Sequence, residues 1–157
     1  MLIQPASPRQ DHWPLLLLAD PDRAMVERYL YDGQLYEGLL PGEKRPLAVA
    51  VTLPLDGARL ELKNLAVDPA WQGQGLGGQM LEWLCAKAQD RYEQLLVGTS
   101  RFGVSFYAGH GFAYSHLAEH FFRDNYPEPL EENGEVLDHM YYLARDLRRN
   151  AQEGSPK

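Results

Sequence analysis

The stretch that decides the fold reads Leu65-Ala66-Val67-Asp68-Pro69-Ala70-Trp71-Gln72-Gly73-Gln74-Gly75-Leu76-Gly77-Gly78. An apolar strand ends in a turn, and a glycine-dense loop then leads into a helical pattern. Glycine is costly in backbone entropy, so this density indicates that something approaches the main chain closely. Because the free N–H groups of the loop lie at a helix N-terminus, the stretch predicts an anion site, and we expect a phosphate or pyrophosphate there.

Two common phosphate loops do not fit this stretch. A Walker A loop requires Gly-Lys-Ser/Thr, and no such residues follow Gly78. The spacing Gly73-x-Gly75-x-x-Gly78 matches the dinucleotide fingerprint, but residues 68–72 separate the strand from the first glycine, where that fingerprint requires an immediate turn. The acidic residue expected at the end of the next strand is also missing. A NAD-binding domain stays an alternative. Such a domain would bind NADH and would not bind acetyl-CoA.

A third pattern, Gln/Arg-x-x-Gly-x-Gly/Ala, is met by Gln72-Gly73-Gln74-Gly75-Leu76-Gly77 and resembles the acyl-CoA loop of the GNAT family of N-acetyltransferases. The triplet Leu65-Ala66-Val67 before the loop and Tyr107-Ala108-Gly109-His110-Gly111-Phe112 after it are similar to segments of that family, and Glu61 stands where some members carry a glutamate. The resemblance covers residues 57–112 firmly and the ends loosely. It implies an α+β fold in which helices flank a mixed, mostly antiparallel sheet, and it implies transfer of an acetyl group from acetyl-CoA to an amine.

The resemblance also implies where the cofactor binds. Backbone N–H groups of the loop would hold the pyrophosphate, and Gln72 would add its side-chain amide where the family often has Arg. The strand before the loop would splay from its neighbour and leave N–H groups free for the pantetheine and the thioester carbonyl. The residues predicted to bind the cofactor are Leu65, Ala66, Val67, Gln72, Gly73, Gln74, Gly75, Leu76, Gly77, Gly78 and Tyr107.

Two catalytic residues are predicted, both as proton carriers. Tyr107 is the candidate general acid, because a phenol is protonated at neutral pH and can donate to the leaving thiolate; its alternative role is ring packing. Glu61 is the candidate general base, with an ion pair to Arg59 or Lys63 as its alternative role. Strand parity does not decide between the two roles of Glu61, since a β-bulge would shift the register. We expect direct transfer in a ternary complex, because Cys85 lies in the apolar pattern of a helix.

The composition is typical of one soluble cytoplasmic domain. The chain has 157 residues, of which 45% are hydrophobic and 24% charged. We predict a domain over residues 1–147 and a polar, disordered tail over residues 148–157. No apolar run approaches the ~18 residues of a membrane span, the N-terminus lacks the basic region of a signal peptide, and a single cysteine cannot form an internal disulfide. A net charge of −7 without a basic cluster argues against a nucleic-acid partner, and no membrane partner is expected.

The predicted elements follow the order β-αα-βββ-α-β-α-ββ, with one parallel β-α-β unit around the loop. The predicted strands are Leu2–Gln4, Gln34–Leu40, Pro46–Leu53, Arg59–Val67, Gln94–Gly98, Phe112–His116 and Leu137–Leu143. The first predicted helix starts at Ser7-Pro8, with Trp13, Leu16 and Leu17 facing inward. The other predicted helices are Asp22–Leu30, Leu76–Arg91 and Gly103–Gly109.

The connection before the last strand is acidic and predicts a small cationic amine as acceptor. Its acids outnumber its single base, Arg123, and they are Glu119, Asp124, Glu128, Glu131, Glu132, Glu135 and Asp138. The alternative role of this segment is a solvated loop that serves solubility. No metal is expected, because the pair His116 and His120 lacks a third ligand in the sequence pattern. The sequence leaves a homodimer open, and the competing function is a non-catalytic acyl-CoA-binding module.

Overall fold

A seven-stranded sheet forms the centre of the fold in a computed structural model that describes residues 1–148. The strands are β1 (Leu2–Ala6), β2 (Gln34–Leu39), β3 (Ala48–Pro54), β4 (Arg59–Val67), β5 (Gln94–Thr99), β6 (Ala113–Ala118), β7 (Glu131–Glu132), β8 (Glu135–Val136) and β9 (Met140–Asp146). The helices are α1 (Trp13–Ala19), α2 (Arg23–Leu30), α3 (Leu76–Ala88), α4 (Val104–Ala108) and α5 (Phe121–Asn125).

The sheet order is β1-β2-β3-β4-β5-β9-β6, and β7 and β8 form a separate hairpin. Strands β4 and β5 run parallel because α3 crosses over between them, while the other neighbours in the sheet are antiparallel. The predicted mixed, mostly antiparallel sheet flanked by helices is therefore confirmed. None of the helices within residues 1–148 is long and apolar enough to cross a bilayer.

Each face of the sheet is covered by its own group of helices. Residues of α3, including Met80, Leu81 and Leu84, pack with β4 and β5 on one face. Residues of α1 and α2, including Leu16 and Val26, pack with β2 and β3 on the other face. The two cores fix the middle of the sheet, so the ends of β4 and β5 are the places where it can open.

The N-terminal prediction is partly wrong in its boundaries. Strand β1 continues through Pro5, because β1 lies at the edge of the sheet, where a missing N–H is tolerated. Helix α1 begins at Trp13 rather than at Ser7, and Leu15 joins its buried face while Leu17 is only half-buried. Helix α3 ends at Ala88, short of the predicted end.

The acidic connection holds more structure than its composition predicts. It contains α5 and the β7–β8 hairpin, and the last strand starts at Met140 rather than at Leu137. The N–H of Phe122 donates to the carbonyl of Asp138 over 2.9 Å, and the N–H of Leu137 donates to the carbonyl of Leu130 over 2.8 Å. These bonds keep residues 137–138 with the connection instead of the sheet. The predicted tail over residues 148–157 lies outside the described residues except for Arg148.

Candidate active site

A β-bulge at Lys63 changes the direction in which the second half of β4 presents its backbone. Strand β3 pairs Val51 with Asn64 and Thr52 with Leu62, so Lys63 is the extra residue between them. Strands β4 and β5 pair only as far as Leu62 with Val97, although both strands continue beyond that pair. The strands therefore separate at the bulge.

Two backbone donors of β4 face the gap that this separation leaves. Before the bulge, the N–H of Leu55 donates to the carbonyl of Arg59; after it, the N–H of Asp68 donates to the carbonyl of Leu47. The hydrogen-bonded pairs with β3 thus switch from odd to even residues of β4, and the N–H groups of Leu65 and Val67 point away from β3 into the gap.

Ala66, which the sequence analysis also includes among the cofactor-binding residues, is placed differently. It pairs with Val49 in the hydrogen-bonded register, so its N–H is directed toward β3, and its side chain lies in the core beneath α1 and α2. Ala66 still lines the cleft described below.

The glycine loop presents a run of free donors at the start of α3. Within residues 1–148, the backbone N–H groups from Gly73 to Gly78 have no hydrogen-bond partner. Gly73 and Gly75 have φ angles of +79° and +81°, a backbone region that residues other than glycine rarely adopt. A Cβ at either position would meet no atom within 4 Å, so the space in front of this backbone is open. Such a loop at a helix N-terminus is suited to an anion.

Gly78 is explained by packing rather than by access for a ligand. A Cβ at this position would lie 2.8 Å from Cε1 of His110. The density of glycines in the loop therefore has two causes: the φ angles of Gly73 and Gly75, and the close approach of His110 to α3.

Gln72 holds the loop to the end of the strand. Its Nε2 donates to the carbonyl oxygen of Val67 over 2.9 Å, and its side chain is exposed. The amide predicted to reach a phosphate is thus engaged in an internal hydrogen bond.

The gap, the loop and the acidic connection surround one cleft of about 1020 Å³. Its walls come from the second half of β4, the loop and first turn of α3, the end of β5, α4, the turn between α1 and α2, and the segment from α5 to Met140. The residues predicted to bind the cofactor, or counted among the acids of the connection, that line the cleft are Leu65, Ala66, Val67, Gln72, Gly73, Gly75, Leu76, Gly77, Gly78, Tyr107, Glu131 and Glu132. Gln74 is exposed in the loop beside it.

Tyr107 lies on α4 and lines the cleft with only 9% of its surface exposed. Its ring packs edge-on against Phe106 and Phe112 at centroid distances of 5.0 Å and 5.6 Å. Burial raises the pKa of its hydroxyl, so the group is protonated throughout the neutral range. No other residue within 1–148 hydrogen-bonds to this hydroxyl, which leaves it available to a ligand.

Glu61 is not among the residues that line the cleft within residues 1–148. Its carboxylate pairs with Nζ of Lys63 over 3.2 Å, and Lys63 itself does line the cleft. Glu61 therefore has the ion pair named as its alternative role, and its role as a base stays a prediction.

The structure also places in the cleft wall a polar group that sequence reasoning missed. Asp20 is only 8% exposed, and it accepts hydrogen bonds from Tyr29 and Tyr126 over 3.2 Å and 2.8 Å. Asn64, 3% exposed, bonds to the same Tyr29 hydroxyl over 3.1 Å. In the sequence, Asp20-Pro21 gives only a helix-start signal, because the partners of Asp20 are distant along the chain.

The histidines considered as a metal pair are not brought together as a pair. His116 lies on β6 and stacks on Tyr142 at a centroid distance of 4.6 Å. His120 instead meets Asp138 and His139, and potential ligand atoms of these three residues lie within 4.8 Å of one another. Direct hydrogen bonds from His120 to both partners account for this cluster.

A mixed sheet that opens beside its central parallel pair, with a loop of free N–H groups at the mouth of the opening, defines an acyltransferase of the acyl-CoA-binding type. The family described as "Acetyltransferase (GNAT) domain" matches residues 39–114. The uncharacterized N-acetyltransferase YvbK of Bacillus subtilis is 31% identical over 139 residues, which are 86% of this chain and 88% of that protein. The chain belongs to the GNAT family of N-acetyltransferases.

Solved structures agree with this assignment. A GNAT family acetyltransferase from Elizabethkingia anophelis with acetyl-CoA bound is 35% identical, with a TM-score of 0.86 over 92% of this chain and 97% of that one. A Bacillus subtilis acetyltransferase in complex with CoA is 30% identical, with a TM-score of 0.84 over 92% of this chain and 97% of that one.

Proposed function

We propose that this N-acetyltransferase moves the acetyl group of acetyl-CoA to the primary amine of a small cationic acceptor, by direct transfer in a ternary complex. The observation that carries the proposal is the run of free N–H groups from Gly73 to Gly78 beside the gap between β4 and β5. Acetyl-CoA and CoA in the similar solved structures support the choice of cosubstrate.

The cofactor would lie along the gap. Its pyrophosphate would accept hydrogen bonds from the loop at the start of α3, where the helix dipole also favours negative charge. The pantetheine arm would enter between β4 and β5, where the N–H groups of Leu65 and Val67 are free of β3. One of these donors would polarise the thioester carbonyl and stabilise its negative oxygen, and such a donor is worth about 2.7–4 kcal/mol where one has been removed.

Tyr107 would supply the proton that the leaving group needs. Its hydroxyl is protonated and has no hydrogen-bond partner among the described residues, so it can donate to the sulfur as negative charge develops there. Glu61, the base predicted from the sequence, could take a proton from the amine only through water, since Glu61 does not line the cleft and its carboxylate is paired with Lys63.

Direct transfer is favoured because the one cysteine of the chain is poorly suited to form an acetyl-enzyme. The single cysteine, Cys85, is buried on α3, and burial raises the pKa of its thiol to about 11. A thiol in this state carries little thiolate at neutral pH.

The charges of the cleft support a cationic acceptor. Among the described lining residues, the charged ones are Asp20, Lys63, Glu131 and Glu132, and the positive charge of Lys63 is offset by Glu61. Carboxylates that line a cleft raise the local concentration of ammonium groups and repel acidic amines, and the effect weakens with salt.

The test is release of free CoA with a panel of amines at low and high salt. We expect polyamines, aminoglycosides and lysine-like amines to react faster than neutral or acidic amines, with kcat/KM for the cationic ones falling as salt rises. The double variant Glu131→Gln/Glu132→Gln should reduce that salt dependence, and Asp56→Asn, an exposed turn residue outside the cleft lining, serves as its control. Preference for acidic acceptors would overturn the choice of acceptor, and no CoA release with any amine would overturn the proposed transfer.

A further inference from the structure

The turn between α1 and α2 places a buried carboxylate in the cleft wall. Asp20 ends α1, where its N–H donates to the carbonyl of Leu16 over 3.2 Å. Its side chain lines the cleft although only 8% of the residue is exposed. A carboxylate in such a position loses hydration and needs either a cation or hydrogen-bond donors.

Two tyrosines from different parts of the chain hold this carboxylate in place. The hydroxyl of Tyr29 on α2 donates to Oδ2 over 3.2 Å, and the hydroxyl of Tyr126, which follows α5, donates to Oδ1 over 2.8 Å. Within residues 1–148, no Lys, Arg or His forms an ion pair with Asp20. The charge is oriented by neutral donors, and each oxygen keeps further acceptor capacity.

The other charged residues of the cleft are engaged or exposed. Lys63 pairs with Glu61, and Glu132 accepts a hydrogen bond from the hydroxyl of Ser100 over 2.7 Å. Glu131 and Glu132 lie on the exposed β7 strand. Among the described lining residues, Asp20 is therefore the buried charge that has no opposite charge beside it.

Asn64, on β4, adds an acceptor without a donor to the same wall. Its Nδ2 donates to the carbonyl of Leu16 over 3.0 Å and to the hydroxyl of Tyr29 over 3.1 Å. Its Oδ1 is buried and has no partner among the described residues. Buried acceptors are rarely left without a donor, and an alkylammonium group carries three donors that can serve both a carboxylate and an amide oxygen.

We propose that Asp20, rather than Glu61, binds the ammonium group of the acceptor and takes its first proton, with Asn64, Tyr29 and Tyr126 as positioning residues. This inference rests on the proposed function and deepens it. After Asp20 has accepted one proton, the neutral amine nitrogen forms a bond to the thioester carbon. The carbon–sulfur bond then breaks, its electron pair leaves with the sulfur, and the sulfur takes a proton from Tyr107. The second proton of the nitrogen restores Tyr107, and Asp20 releases its proton to solvent.

The protonation behaviour of Asp20 suits this role. Burial raises the pKa of its carboxyl, and the hydrogen bonds from Tyr126 and Tyr29 offset only part of that rise. The titratable groups that act on its carboxyl are these two tyrosines and Asp22 on the adjoining turn. Lys63 lies over the ring of Tyr29, with its Nζ 5.7 Å from the ring centroid. A base with a raised pKa takes a proton more effectively near neutral pH.

The experiment compares Asp20→Asn with the wild type in the CoA-release assay, using spermidine and cadaverine as acceptors. We expect Asp20→Asn to lower kcat/KM about 10²-fold or more and to remove the acid limb of the kcat profile. Stabilisation by acetyl-CoA should persist, whereas the further stabilisation that the amine adds to the CoA complex should be lost. Asp32→Asn, which removes the same charge from an exposed turn outside the cleft lining, should behave as the wild type.

Tyr126→Phe provides a second test that does not remove the carboxylate. Losing a donor to the ionised form should raise the pKa of Asp20, so the acid limb should move to higher pH, while the exposed Tyr31→Phe leaves it in place. An unmoved limb in Tyr126→Phe, or wild-type kcat/KM in Asp20→Asn, would overturn the inference while the proposed function stands. If Glu61→Gln, and not Asp20→Asn, removes the acid limb of the kcat profile, the base is Glu61. If the wild type releases no CoA with any amine, the proposed function and the inference both fail.

Discussion

Nε2 of Gln72 donates to the carbonyl oxygen of Val67 over 2.9 Å and so ties the glycine loop to the end of the strand that opens the sheet. The donor lies where GNAT loops often carry an Arg, and the acceptor belongs to the residue whose N–H faces the gap. The loop and the gap are thereby fixed relative to each other by one side chain.

Replacing Gln72 by Ala should weaken CoA binding without unfolding the protein. The lost hydrogen bond is worth about 0.5–1.5 kcal/mol. Without it the loop is less ordered before CoA binds, so ordering the loop lowers the binding free energy by a similar amount. Titration calorimetry with CoA measures the change. Gln79→Ala, at an exposed position of the first turn of α3, is the matched control and should bind as the wild type does. Equal affinities for all three proteins would show that the tie is unimportant.

Gly75→Ala and Gly42→Ala form a matched pair for the role of the loop. Both glycines have a φ of +81°, and a Cβ at either would meet nothing within 4 Å. Each substitution should cost about 1–2 kcal/mol for the left-handed backbone, a drop of roughly 2–8 °C in Tm. Only Gly75→Ala should also lose the stabilisation by acetyl-CoA, because its Cβ faces the anion site. If acetyl-CoA raises the Tm of both variants as it does that of the wild type, the backbone of Gly75 does not form the anion site.

The loop and Tyr107 could be predicted from the sequence because a few consecutive residues determine them. The gap could be expected only from the family, since the bulge at Lys63 that turns the N–H groups of Leu65 and Val67 leaves no mark in the residue pattern.

Asp20 could not be predicted in the same way. Its partners Tyr29 and Tyr126 are 9 and 106 positions away, and their convergence follows from tertiary packing of α2 and α5. In the sequence alone, an Asp before a Pro indicates only the start of a helix.

Tyr107→Phe should lower kcat by about 10²-fold or more while leaving stability and the Kd for acetyl-CoA nearly unchanged. The hydroxyl has no partner among the described residues, so its removal leaves no buried group unsatisfied. Because burial raises the pKa of Tyr107, wild-type kcat should stay flat past the ordinary tyrosine pKa of about 10. Tyr31→Phe, at a residue 60% exposed, is the control. Unchanged kcat in Tyr107→Phe would restrict Tyr107 to packing.

Glu37, remote from the cleft, should make stability depend on pH. Burial raises its pKa, but hydrogen bonds from Gln4 and His12 over 2.8 Å and 2.9 Å, with the charge of Arg9, outweigh burial and hold the pKa below its usual range. A carboxyl with a lowered folded-state pKa stabilises the protein above its unfolded pKa of about 4.3, and this contribution disappears as pH falls through the folded-state pKa. Glu37→Gln should therefore lower Tm near pH 7 and approach the wild type in acid.

The measurement is a series of thermal melts of the wild type, Glu37→Gln and Glu27→Gln between pH 3 and pH 8. The side chain of Glu27 is 45% exposed, and its ion pair with Arg23 is long, at 3.9 Å. Its substitution should therefore leave Tm close to that of the wild type at every pH. The buried carboxylate of Glu37 accepts charge-assisted hydrogen bonds, which are worth about 1.5–3 kcal/mol, so the difference near pH 7 should reach several degrees. A Tm difference between Glu37→Gln and the wild type that is the same at pH 3 and pH 7 would show that packing, and not ionisation, explains the contribution of Glu37.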